Sequence, residues 1–215
     1  MVSVILLMAG KGTRMKENIN KVLLPLGDKM IFQYPLSLFL KLDFEVICVI
    51  SKDDEEIVRK NIPSQVKLVY GGNTRQESVY NGLMECTGDY VLIHDAARAF
   101  ISLATINKII ENKNNNEAIL TYLNVKDTIK IKHGEIVSTL PRESLIAATT
   151  PQCASKELFL EVYNLAKKDN FIATDDISLI EKYRPDVRIN YILANEENFK
   201  ITTPLDLKLA KLIVE

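Results

Sequence analysis

Val2-Ser-Val-Ile-Leu-Leu-Met8 runs straight into Ala9-Gly-Lys-Gly-Thr-Arg-Met15, with Lys21 shortly after. A nearly continuous apolar run of this length reads as a strand covered on both faces, and the glycines after it as a strand-to-helix turn. The opening therefore predicts a parallel α/β sheet with a ligand loop at the carboxyl end of its first strand. Further apolar runs at 45–50, 66–70, 90–94, 118–124 and 188–193 alternate with amphipathic stretches, the pattern of strand–helix–strand units. Ser51-Lys-Asp-Asp54 opens one helix with a cap and an acidic first turn, and 76–85 and 103–112 supply two more. In the last helix Thr203 is the N-cap, Pro204 the first helical residue and Asp206 a first-turn acid. Leu205, Leu209, Leu212 and Ile213 then recur at helical spacing.

Residues 127–140 break this alternation. They read as two β-rich arms around a turn at Gly134. A hairpin set into a parallel α/β sheet either caps an edge or projects, and a bare two-stranded arm is poorly stable alone. The arm, at about 125–142, is thus expected to pack on a second copy of the chain. No repeat, linker or low-complexity tail divides the sequence, so residues 1–215 are expected to form one domain.

Hydrophobic residues make up 47% of the 215 positions, enough for a core without disulfide or metal staples. Lys and Arg number 27 against 28 Asp and Glu, a balance that argues against a nucleic-acid binder. The apolar run near the start is too short to span a membrane and lacks a signal-peptide cleavage pattern. Three scattered cysteines (Cys48, Cys86 and Cys153) without a C-x-x-C pair suit a reducing cytoplasm and disfavour a zinc site.

The loops carry the chemistry. Gly10 and Gly12 allow backbone amides to approach a phosphate, and Arg14 and Lys21 add positive charge beside it. Met15 breaks the dinucleotide pattern G-x-G-x-x-G, and no Gly-Lys-Ser/Thr follows to make a P-loop. Gly71-Gly-Asn-Thr-Arg-Gln-Glu-Ser78 offers amides and a hydroxyl to a nucleobase edge, or is an ordinary turn into a helix. In His94-Asp-Ala-Ala-Arg98, Asp95 is placed to hold Mg²⁺ against phosphate oxygens. Arg98 serves a phosphate or locks the loop, and His94 reads as a satisfied core residue. Farther on, Arg142 and Lys200 could clamp a phosphate, while Asp175 and Asp176 read as helix-dipole caps. No G-x-S-x-G elbow is present, and with two histidines general bases are scarce. An attacking phosphate monoester needs no base, since it already carries roughly −1.5 to −2 charge at pH 7. The inventory fits nucleotidyl transfer from a nucleoside triphosphate better than hydrolysis.

In their order and spacing these strings resemble the CDP-alcohol-forming cytidylyltransferases, in particular the 2-C-methyl-D-erythritol 4-phosphate cytidylyltransferase family of the non-mevalonate isoprenoid route. The motifs are Ala-Gly-x-Gly-x-Arg-Met with Lys21, Gly-Gly-x-x-Arg-x-x-Ser-Val, His-Asp-Ala-Ala-Arg, Asp-Thr-Ile-Lys, Thr-Pro-Gln, Thr-Asp-Asp and Lys-Ile-Thr-Thr-Pro-x-Asp-Leu. The resemblance implies a Rossmann-like nucleotidyltransferase fold, a mainly parallel three-layer α/β/α sheet with a protruding β-hairpin arm. It implies that Arg14 and Lys21 stabilise the transition state at the α-phosphate. Gly10, Gly12, Gly72, Asn73, Ser78 and Asp95 would bind CTP, with Asp95 beside Mg²⁺. Arg98, Thr128, Arg142, Thr150, Thr174 and Lys200 would bind the polyol phosphate, Thr128 from an arm that crosses to a neighbouring subunit. A cytoplasmic homodimer follows. Two rivals stand beside this reading: the same chemistry on ribitol 5-phosphate, and a non-catalytic nucleotide-sensing module. A dinucleotide-dependent dehydrogenase is disfavoured by the missing third glycine.

Overall fold

A computed structural model describes residues 1–10, 20–114 and 117–215 of the chain. The opening run forms β1 (Val2–Leu7). Then come β2 (Pro25–Leu26), β3 (Lys29–Met30), α1 (Gln33–Lys41), β4 (Glu45–Ile50), α2 (Glu55–Lys60), β5 (Lys67–Tyr70) and α3 (Arg75–Glu85). The middle of the chain holds β6 (Tyr90–Asp95), α4 (Leu103–Asn112), β7 (Glu117–Asn124), β8 (Lys130–His133), β9 (Ile136–Thr139) and β10 (Ile146–Ser155). It closes with α5 (Lys156–Lys168), α6 (Ile177–Tyr183), β11 (Arg188–Leu193) and α7 (Pro204–Val214).

Seven strands form one sheet in the order β11-β7-β10-β6-β1-β4-β5. β1 pairs parallel with β4 on one side and with β6 on the other. Alternate residues of β1 face opposite layers, as a strand's period of two requires. Val4 and Leu6 join one core cluster with Leu36 and Phe39 of α1, Val58 of α2 and Ile106 of α4. Ile5 joins the other, with Val79 and Leu83 of α3, Phe159 of α5 and Ile180 of α6. This is the three-layer α/β/α arrangement that the resemblance implied, built on the mainly parallel sheet read from the apolar runs.

β10 is the exception. It runs antiparallel to both β6 and β7 at the middle of the sheet, and its sequence does not announce a strand. Ala147, Ala148, Thr149 and Thr150 are small or polar, and Pro151 has no amide hydrogen for a ladder. The register shift between Ala148 and Gln152 brackets that proline, so an irregularity accommodates it within a central strand.

The hairpin β8–β9 is a separate two-stranded sheet whose residues are all exposed. Gly134 opens its two-residue turn at φ +62, a value glycine adopts without steric cost. α7 begins as read: Asp206 N donates to Thr203 Oγ1 and Thr203 N to Asp206 Oδ2, a capping box. Its leucine stripe faces outward, however, with Leu205 74% exposed, and the helix is seated instead through buried Ala210.

At the amino edge of the sheet Glu45 gathers its neighbours. Its carboxylate accepts from the Ser3 hydroxyl, Lys67 Nζ (2.7 Å), Thr87 N (2.7 Å) and Thr87 Oγ1 (2.9 Å). Burial opposes ionisation there, but these donors bring the Glu45 carboxyl down to about 2.

Candidate active site

From β1 the chain moves to β4 on one side and later returns to β6 on the other, so the sheet's switch point lies at the carboxyl end of β1. A cleft of about 450 Å³ opens there. Gly10, Lys21, Gly72, Asn73, Ser78, Asp95 and Lys200, all expected at the site, line it together. Gly12 and Arg14 lie outside the described residues.

The turn after β5 is held by its own side chains. Ser78 Oγ accepts from Gly72 N (3.1 Å) and donates to Thr74 O (2.9 Å). Thr74 caps α3 by accepting from Glu77 N (3.0 Å), and Glu77 Oε2 accepts from Asn73 N (2.7 Å). A Cβ on Gly71 would sit 2.6 Å from the Ala9 Cβ, so only glycine lets the two loops approach this closely. Ser78 therefore shapes the loop that lines the cleft, and its hydroxyl already has partners.

Asp95 ends β6 and is the one acidic side chain among the described lining residues. Its Oδ2 accepts from Lys200 Nζ at 2.7 Å, and Arg75 Nε stands 3.6 Å from its Oδ1. Burial alone would raise this carboxyl; Arg75 and Lys200 instead hold it well below the usual carboxylate range. Behind it runs a directional chain of hydrogen bonds. Asp95 N donates to Thr150 Oγ1 (3.0 Å), and a 3.1 Å contact joins that hydroxyl to His94 Nδ1. His94 Nε2 lies 3.1 Å from the Arg98 carbonyl. A carbonyl only accepts, so Nε2 carries the proton and the Thr150 hydroxyl donates to Nδ1. Burial pushes the buried imidazole down to about 4, so it is neutral at pH 7. Ala99 follows Arg98 into the third core cluster with Leu24 and Ile201.

Arg98 leans away from the cleft lining: its Nη1 donates to the Asn198 carbonyl (2.9 Å) and fastens the loop to the segment before α7. Its Nε and the Asn198 Oδ1 are buried without a hydrogen-bond partner among the described residues. Thr128 and Arg142 meet each other at the base of the hairpin, with Arg142 Nη2 donating to Thr128 Oγ1 at 3.3 Å, apart from the cleft lining of this chain. Thr174 is exposed and does not line the cleft.

Asp175 caps α6 as read, accepting from Ser178 N at 2.9 Å. Asp176 does not. The amides of Asp176 and Ile177 are capped from β10 by Gln152 Oε1 (3.0 Å each). The fully buried Asp176 carboxylate is thereby available to take Nη1 and Nη2 of Arg75 at 2.8 Å each, together with the Tyr163 hydroxyl. Arg75 thus joins a buried acid to the Asp95 site. Burial would lower its guanidinium, but Asp176 and Asp95 hold it well above the ordinary value. The sequence reading did not single out Arg75; its position in Gly-Gly-x-x-Arg-x-x-Ser was the available signal.

The donor set fits a divalent cation in part. One ionised carboxylate faces the cleft, and no cluster of three or more His, Cys, Asp or Glu occurs among the described residues. Magnesium bound there would take most of its ligands from phosphate and water. All three cysteines are buried thiols. No described helix is long and apolar enough to cross a membrane.

The family model described as IspD, 2-C-methyl-D-erythritol 4-phosphate cytidylyltransferase, matches residues 2–215. Among curated relatives, the 2-C-methyl-D-erythritol 4-phosphate cytidylyltransferase of Clostridioides difficile is 37% identical over 225 residues, covering 100% of this chain and 94% of its own. That of Prochlorococcus marinus subsp. pastoris is 38% identical over 216 residues, covering 96% of each. The crystal structure of 4-diphosphocytidyl-2C-methyl-D-erythritol synthase from Anaerococcus prevotii superposes with a TM-score of 0.84 at 30% identity, covering 99% of this chain and 97% of that one. The Thermus thermophilus cytidylyltransferase gives 0.82 at 28% identity, covering 98% and 97%.

Proposed function

The chain belongs to the 2-C-methyl-D-erythritol 4-phosphate cytidylyltransferase family, and from that premise we propose how its cleft transfers CMP from CTP to methylerythritol phosphate. The observation that carries the reading is the convergence of Lys21, Lys200, Asp95 and the Gly10 and Gly72 loops on one cleft at the end of β1. Family membership decides the acceptor in favour of methylerythritol phosphate over ribitol 5-phosphate, and makes the chain an enzyme rather than a sensor.

CTP lies along the Gly10, Gly72, Asn73 and Ser78 side, its phosphates met by backbone amides and by Lys21 and Arg14. A phosphate oxygen of the acceptor, already ionised, attacks the α-phosphorus. The new P–O bond forms as the bond to the β-phosphate oxygen breaks, and pyrophosphate leaves with the electron pair. No proton must be removed, which agrees with a His94 that is buried with both ring nitrogens engaged inside the fold. Lys21 and Arg14 offset charge on the five-coordinate phosphorus. Asp95 would hold Mg²⁺, which when bound neutralises triphosphate oxygens.

We assign Lys200, Arg98, Thr150 and Thr174 to the acceptor: Lys200 meets it from the cleft lining, Arg98 and Thr150 set the loop around Asp95, and Thr174 stands outside the lining. Thr128 and Arg142 belong to the acceptor site of a second copy, delivered by the exposed hairpin of a homodimer. The chain then works as one cytoplasmic domain with an arm at about 125–142. The test is pyrophosphate release with CTP and Mg²⁺: release with methylerythritol phosphate and none with ribitol 5-phosphate is expected. Deleting the hairpin tip around Gly134 should weaken both dimerisation and acceptor use. Undiminished dimer affinity in ultracentrifugation would refute the arm's role.

A further inference from the structure

We infer that Asn20 is a positioning residue for Lys21, clamping the turn that carries the lysine to the end of β1 and to Asp54 ahead of α2; the inference rests on reading Lys21 as a cation of the transition state. Asn20 Nδ2 donates to the Met8 carbonyl at 2.5 Å and to Asp54 Oδ2 at 2.8 Å. Its Oδ1 accepts from Val22 N at 3.4 Å, capping the 3₁₀ turn Lys21–Leu23. Both amide hydrogens and an oxygen lone pair are thus engaged with three different parts of the chain.

The partners are suited to the task. Met8 directly follows β1 and lines the cleft, so its carbonyl is a fixed reference beside the phosphate loop. Asp54 precedes α2 at the N-cap position yet makes no side-chain bond to that helix. Its backbone is helical and continues the turn 52–54 that Ser51 caps, so its carboxylate has no capping duty and reaches back to Asn20. Downstream of Lys21 the turn is already fastened: Val22 and Leu23 are buried, Phe32 N donates to Val22 O (3.0 Å) and Ile31 N to Leu24 O (3.1 Å). Asn20 supplies the matching hold upstream. A lysine reaches its target on a flexible four-carbon stem, so the place of its ammonium depends on the place of its Cα. With both sides of Lys21 fixed, that Cα is held at the mouth of the cleft before substrate arrives. Displacement of a charged group by about 1 Å can cost on the order of a hundredfold in rate.

Steady-state kinetics of pyrophosphate release test this. Asn20→Ala is expected to lower kcat about tenfold or more while KM for CTP stays within about twofold. Asp54→Ala should lower kcat in the same sense, and Asp54→Asn, which keeps an acceptor oxygen for the Asn20 amide, should regain most of it. In a Lys21→Ala background, Asn20→Ala should lower kcat no further, because nothing remains to be positioned. A merely structural role would lower the melting temperature and multiply with Lys21→Ala. The inference is overturned if Asn20→Ala keeps kcat within about twofold, or if the two losses multiply. Should Asn20→Ala fail to fold, the Asp54→Ala and Asp54→Asn pair decides alone, equal kcat values overturning the clamp. A Lys21→Ala enzyme with unchanged kcat would sink the catalytic reading itself. An intact Asn20→Ala rate beside a crippled Lys21→Ala rate would sink the positioning role alone.

Discussion

Two carboxylates at opposite edges of the sheet show how the same kind of cluster serves different ends. Glu45, at the amino edge, is ringed by Ser3, Lys67 and two donors of Thr87, every one a contact within the fold. Asp95, at the carboxyl edge, is met by Lys200 and Arg75, two cations that also line an open cleft. The amino-edge acid closes a gap between strands and is complete as it stands. The carboxyl-edge acid sits among positive groups whose number suits phosphates more than one carboxylate. The difference teaches that ionisation alone does not mark a functional acid: both carboxyls are depressed, but only one faces a space that a substrate can fill.

Substitutions should separate the two edges. Arg75→Met, which strands the buried Asp176, should cost about 3 kcal/mol of stability by urea denaturation and impair catalysis as well. Adding Asp176→Leu should restore much of the stability and little of the rate. Lys21→Ala should lower kcat by about 10²–10³ with the unfolding midpoint unmoved, as loss of a transition-state charge partner does. Glu45→Gln should do the opposite, removing about 1–2 kcal/mol at pH 7, a figure reduced by solvent screening, and leaving kcat unchanged. The sign of its pH dependence follows from a folded carboxyl at about 2 against an ordinary 4.5. The wild-type advantage is fully present above about pH 4.5 and disappears as pH falls toward 2, where the two unfolding midpoints should meet. Smallest of all, Gly134→Ala forces an ordinary residue to φ +62, costing about 1 kcal/mol in the arm. Sedimentation should show self-association weakened by a factor of about five, with KM for CTP untouched.

The legible parts of this molecule were those in which one local pattern decides the structure. The runs at 45–50 and 188–193 are the strands β4 and β11 residue for residue, because short stretches rich in β-branched and aromatic residues between turns have few other solutions. Gly10 and Asp95 were reachable because they stand at the carboxyl ends of β1 and β6, where sheets of this kind gather ligands, and Lys21 because it belongs to the basic set that follows the first glycine turn. β10 was not legible: small residues and a proline make a central strand only when β6 and β7 flank them. The Arg75–Asp176 pair was equally hidden, since its partners are 101 positions apart and neither neighbourhood mentions the other. Asp176 was misread as a cap because the true cap, Gln152, arrives from a different strand. The outward stripe of α7 has the periodicity of a buried helix, which shows that periodicity identifies a helix without saying which face is covered.

The place of β10 also imposes an order on how the molecule comes into being. Among the described residues β7 pairs only with β10 and β11, both of which are synthesised after it. A chain growing from its amino end at about 5–20 residues per second therefore releases an apolar strand that waits, with the whole hairpin still to emerge, for its first neighbour. By then the Gly10 and Gly72 loops and Asp95 have already been made. Thr150 and then Lys200 follow, so the side of the cleft proposed for the triphosphate is translated before the side proposed for the acceptor. A nascent chain halted before residue 146 would hold the Gly10 and Gly72 loops and Asp95 without Thr150 or Lys200, and β7 is the segment a chaperone would have to shield.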